Sequence, residues 1–175
     1  MALHRAAPTL ANTETGSTPA HRPDDRLMSH IETILLATDG SPASESASDE
    51  AIDLAVQVEA RLLVVSVLGT SSRPTASTDA ASPADSRDSL TSNAQAIVQR
   101  AKASGANATF LVWDGDAGEA IVGAADSENV DLIVVGSHGR SGVSRFLIGS
   151  VSDYVVRHAH CPVMVVRGRV EVARR

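Results

Sequence analysis

The chain has 175 residues, 43% of them hydrophobic but only 2% aromatic, so one domain with an aliphatic core is expected. A formal charge of −6 argues against nucleic acid and anionic membrane surfaces as partners. The single cysteine, Cys161, excludes an intramolecular disulfide framework. That lone cysteine makes a cytoplasmic location the expectation, and no apolar run reaches the roughly 18–20 residues of a membrane helix.

Residues 1–27 have no hydrophobic periodicity and are rich in Thr, Ala and Pro, which predicts a disordered N-terminal extension. They lack the apolar centre of a secretory signal, and their acids argue against a transit peptide. Met28 is a second candidate start, because "MSHIETILLATDGS" opens a folded domain cleanly. The domain is expected over 28–170, followed by a short tail at 171–175.

The first strand lies in "IETILLATDGS", where Ile34, Leu35, Leu36 and Ala37 run together as in a parallel strand buried on both faces. Ser41 followed by Pro42 predicts a helix N-cap with proline at the first helical position. That helix runs to about Glu59, with Ala47, Ala51, Leu54, Ala55 and Val58 on one stripe. "ARLLVVSVLG" is the second strand. Residues 69–84, rich in Ser, Thr, Ala and Pro, read as a surface loop. A second helix spans about Asp85 to Ser104 and stops at Gly105. "ATFLVWDGD" is the third strand, 117–128 a short helix, and "DLIVVGS" the fourth strand. "GSVSDYVVRHA" is the last helix and "CPVMVVR" the fifth strand. The alternation of strand and helix predicts an α/β fold: a Rossmann-like open parallel sheet with helices on both faces.

In such sheets ligands sit beyond the carboxyl ends of the strands, where the strand order reverses. If the first and fourth strands are central neighbours, Asp39 and the glycine loop after the fourth strand share one crevice. That loop carries Gly136 and Gly139, and Gly149 with Ser150 opens the last helix. A helix N-terminus offers unpaired amides and partial positive charge, and glycine lets an oxygen approach them. Two readings stand side by side: a phosphate site, or tight turns with Ser150 as an N-cap. No G-x-G-x-x-G follows the first strand and no Walker loop exists, so those nucleotide motifs are excluded. His158 and His160 lack a third ligand at useful spacing and read as surface or capping residues. Arg140 and Arg145 lie in the loop, either against phosphate or in solvent. Cys161, before Pro162, reads as a small apolar residue without a base to activate it.

The segments "ILLATDGSPAS", "DLIVVGSHGRSG" and "LIGSVSDYVVRHAHCPVMVV" resemble the universal stress protein family (UspA-like domains) over about residues 29–168. Its ATP-binding members carry Gly-x2-Gly-x9-Gly-[Ser/Thr], and this chain has the pattern complete as Gly136, Gly139, Gly149 and Ser150. The resemblance implies five parallel strands in the order 3-2-1-4-5 and a homodimer. It implies ATP as ligand, with Mg²⁺ held mainly by the phosphates. It places Asp39 near the ribose, although an Asx-turn before Gly40 is the alternative role for that carboxylate. It places the backbone of Val67 against adenine and Ala37 and Val135 beside the base; Arg140 and Val151 are further expected nucleotide-binding residues. The family often shows His-Val at the end of the second strand; here it is Ser66-Val67. The dimer is expected through the fifth strand, Val163, Met164, Val165 and Val166, an apolar edge.

Three functions compete on this fold. One is an ATP-binding regulatory module. Another is a slow ATPase or nucleotidyl-transfer enzyme, disfavoured because no acid in the loop is free to serve as base. The third is a nucleotide-free dimerisation module, disfavoured by the intact glycines.

Overall fold

A computed structural model describes residues 31–69, 83–137 and 149–168. The predicted extension over 1–27, most of the loop over 69–84, and the tail at 171–175 lie outside the described residues. In chain order the elements are β1 (Thr33–Ala37), α1 (Pro42–Gln57), β2 (Arg61–Gly69), α2 (Pro83–Ala103), β3 (Asn107–Gly115), α3 (Ala117–Ser127), β4 (Leu132–Gly136), α4 (Ser150–His158) and β5 (Val163–Val166). All strand pairs are parallel and the sheet order is β3-β2-β1-β4-β5. Among the described residues no helix is long and apolar enough to cross a membrane.

The central strands are buried on both faces because every residue of "TILLA" is apolar or β-branched. Alternation along them feeds two cores. Ile34, Leu36, Leu62 and Val64 pack against α1 and α2. Leu35, Leu63, Val65, Ile133 and Val135 pack against α3 and α4. Alanines do much of the helix packing: Ala47, Ala51 and Ala55 of α1 are fully buried, and their small size lets the helix lie close to the sheet. Asp131 ties the amino ends of the strands together: its Oδ2 accepts from the amides of Glu32 and Thr33, each at 2.9 Å.

The two helical layers reverse between β1 and β4. The chain leaves β1 towards β2 on one side, while β4 lies on the other. This is the switch point that opens a crevice above the sheet.

α3 begins with Asp116, whose carboxylate accepts from the amides of Gly118 and Glu119, an N-cap by side chain. Gly118 faces α4 at very close range: a Cβ there would lie 2.5 Å from Cδ1 and 3.0 Å from Cβ of Tyr154. Because the obstacle includes the root of the tyrosine, the ring cannot simply swing away. Gly118→Ala therefore sets a helix-propensity gain of up to about 1 kcal/mol against an overpacking cost of about 1–3 kcal/mol. Net destabilisation by thermal melting is expected, and it should be relieved in the Gly118→Ala, Tyr154→Ala double variant, as coupled neighbours require. Additive losses would show that the helices do not meet there.

Candidate functional site

At the switch point lies a cavity of about 310 Å³, within the size range of small-molecule sites. Its floor is apolar: Ala37, Val65, Ile121 and Val135 are all nearly buried. Val67, at the far end of β2, and Ala117, at the start of α3, complete that end. The lining also includes Asp39, Gly136, Gly149, Ser150, Val151 and Ser152, which bring a carboxylate, two hydroxyls and backbone groups to the cavity. Eight predicted site residues thus come together: Ala37, Asp39, Val67, Val135, Gly136, Gly149, Ser150 and Val151. Gly139, Arg140 and Arg145 lie outside the described residues.

α4 starts at the rim of this cavity. Gly149, not Ser150, is the N-cap, with φ −62° and ψ 156°, and no side chain caps the helix. The first intrahelical bond runs from the Asp153 amide to the Gly149 carbonyl, 2.9 Å. The earlier amides, those of Ser150, Val151 and Ser152, have no partner within their own helix. They form the positive end of the helix dipole beside the cavity.

Neither Gly136 nor Gly149 has a positive φ. Backbone conformation is therefore not what requires glycine at these two positions. What a side chain would change there is space, since both residues line the cavity.

Asp39 follows β1. Its Oδ1 accepts from the Ser41 amide at 3.0 Å, so the Asx-turn is present. The same residue lines the cavity, and a carboxylate oxygen has capacity for more than one bond. Behind it runs a chain of hydroxyls. The Gly40 amide donates to Thr38 Oγ1 (3.2 Å), Thr38 Oγ1 lies 3.0 Å from Ser44 Oγ, and Ser44 Oγ donates to the Ser41 carbonyl (2.8 Å). Since Ser44 spends its proton on that carbonyl, Thr38 is the donor in the middle link. Gly40 here has φ +71°, which glycine adopts without strain. The turn that carries Asp39 is thereby fixed from below.

Several cavity residues carried no sequence signal of their own: Thr38, Ser44, Val65, Ala117, Ile121 and Ser152. Val65 was within reach, being two residues before Val67 on the same strand face. Ala117 and Ile121 are one helical turn apart, a pairing that marks a face but not what the face meets.

The remaining candidates sit elsewhere. His158 stacks on Tyr154 with ring centroids 4.0 Å apart, and its Nδ1 lies 2.8 Å from the Tyr154 carbonyl. His160 Nδ1 lies 3.0 Å from Asp126 Oδ1 on the surface. Among the described residues no three His, Cys, Asp or Glu side chains gather as a metal site. Cys161 is half-buried against the α3/α4 core. Burial, and then the negative charges of Asp126 and Asp131, push its thiol pKa up. A raised pKa leaves less thiolate at neutral pH, so alkylation should be slower in the folded protein than in denaturant at the same pH. Equal rates in the two states would show that the thiol is not shielded.

The universal stress protein family model matches residues 30–167. The chain belongs to the universal stress protein family. A putative universal stress protein of Staphylococcus haemolyticus is 34% identical over 138 residues, covering 77% of this chain and 83% of its own. A universal stress protein of Methanocaldococcus jannaschii is 30% identical over 143 residues, covering 77% and 81%. Among solved structures, a universal stress protein of Lactobacillus plantarum superposes with TM-score 0.65 at 30% identity, covering 78% of this chain and 98% of that one. Another, solved in complex with cAMP, has TM-score 0.63 at 28% identity, covering 79% and 98%. Within the universal stress protein fold, the cavity described above occupies the switch point between β1 and β4.

Proposed function

We propose that this universal stress protein is an ATP-binding regulatory module, in which nucleotide occupancy stabilises one state of a homodimer. The apolar end, with Ala37, Val67 and Val135, takes the adenine. Asp39 accepts from the ribose hydroxyls. Gly136, Gly149, Ser150 and Val151 surround the phosphates, with Gly139 and Arg140 contributing from the adjoining loop. Mg²⁺ travels with the phosphates rather than on a dedicated carboxylate cage.

One observation carries the reading. Gly149 has an ordinary φ of −62°, yet a glycine stands at the mouth of a cavity, at the uncapped start of a helix. That combination suits an oxygen-rich ligand brought against backbone amides. The apolar floor beside it suits a flat base. The cAMP held by a structural relative supports a nucleotide of this class. The overall charge of −6 does not favour a polyanion, so affinity has to be generated locally by the helix end.

The test has two parts. Purified protein is denatured and the released small molecules identified by mass spectrometry; adenine nucleotide is expected. Calorimetry of the emptied protein should then show ATP binding more tightly than AMP. A folded protein that binds neither would sink the reading, and rapid turnover of ATP would replace the regulatory module with an enzyme.

A further inference from the structure

The chain leaves β4 at Gly136, and Gly149 stands as the N-cap of α4. Two hydrogen bonds join these ends. The Gly149 amide donates to the Ser137 carbonyl at 2.8 Å. Ser152 Oγ donates to the Gly136 carbonyl at 2.6 Å. The first is backbone to backbone and depends on no side chain. The second depends on one hydroxyl, and Ser152 is only 5% exposed.

We propose that Ser152 is the positioning residue of the phosphate end, acting through the Gly136 carbonyl; this rests on the nucleotide reading given above. Its position is the third residue of α4, where a serine could turn outward to water. It turns inward instead and grips the last residue of β4. This has two consequences. The hydroxyl sets the angle at which the α4 amides face the cavity. It also occupies the Gly136 carbonyl, whose oxygen is the negative end of a dipole in a residue that lines the cavity. An unpaired carbonyl beside bound phosphates would repel them. Ser152 therefore matters more the more negative charge the ligand brings.

That charge dependence separates a positioning role from a merely structural one. The full chain and its Ser152→Ala variant are titrated with adenosine, AMP, ADP and ATP. The expected result is a loss that grows with phosphate number, smallest for adenosine and reaching roughly tenfold for ATP, the scale of one buried acceptor left unpaired. Ser152→Thr and Ser152→Val carry nearly the same bulk and differ in the hydroxyl, so Thr should retain the ATP preference and Val should lose it. This pair holds the comparison if the Ala variant is poorly folded. Equal losses for adenosine and ATP, or a Val variant that matches Thr, would overturn the proposal while leaving the nucleotide reading intact. A wild-type protein that binds no adenine nucleotide would overturn both.

Discussion

Gly149→Val should erase the preference for ATP over AMP, whereas Asp39→Ala should weaken both nucleotides alike. The two residues line one cavity, and in the proposed reading they meet different parts of the ligand. Valine is conformationally acceptable at φ −62° and ψ 156°, so backbone torsion does not oppose the change. Its branched side chain fills the space in front of the α4 amides, where the outer phosphates belong. Valine is also a poor N-cap, and the helix end loses about 1 kcal/mol or less on that account, because glycine itself is only a moderate cap. A melting curve separates this small loss from the binding defect. Removing the Asp39 carboxylate deletes a charged acceptor, worth about 1.5–3 kcal/mol, or roughly tenfold or more in affinity. Because ribose is common to ATP and AMP, that loss is shared. Asp39 also holds the Ser41 amide, so Asp39→Asn, which keeps an acceptor oxygen for the turn, should behave better than Ala in folding while still weakening both ligands. Calorimetry on the three variants decides the matter. Normal ATP binding by Gly149→Val would mean that the glycines serve only as turns.

What the sequence made legible was what one strand or one helix could declare alone. Continuous apolar runs such as Leu132–Val135 announced buried parallel strands, and the alanine stripe of α1 announced its inner face. Asp39 and the glycines were visible because turn chemistry and small size are local properties. The order of the strands came through the family resemblance and is the one found. Hydrogen bonds across the fold were not legible. Ser152 meets Gly136 from 16 residues away, and a serine in an amphipathic helix looks like ordinary filler. The caps show the same limit. Ser41 occupies the N-cap of α1, yet its hydroxyl is buried and unpaired. The Ser44 amide, the third in the helix and the one a cap hydroxyl would bind, already donates to the Ser41 carbonyl at 3.0 Å, and Pro42 has no amide to offer. At α4 one of the two readings of the Gly149-Ser150 pair made the serine the cap, because serine is among the residues preferred there. The glycine took the position, and the serine became the first helical residue.

Met164→Lys should convert the protein from dimer to monomer, and it is a better probe of the proposed interface than any change at Val165. β5 stands at one end of the sheet order, beside β4. Along it, Val163 and Val165 pack against the α3/α4 core and Val166 against the other one. Met164 is 38% exposed. A lysine at Val165 would therefore put a charge against the core and confuse unfolding with dissociation. At Met164 it leaves both cores intact. In an isologous contact each substitution occurs twice, so two unpaired charges enter one interface. Burying charges without partners at an interface costs several kcal/mol, so a weakening on the order of a hundredfold or more is expected. Met164→Leu keeps the apolar surface and should stay dimeric. Analytical ultracentrifugation of the three proteins over a concentration series reads the result directly. A wild type that sediments as a monomer throughout, or a Met164→Lys variant that remains dimeric, would remove β5 as the interface.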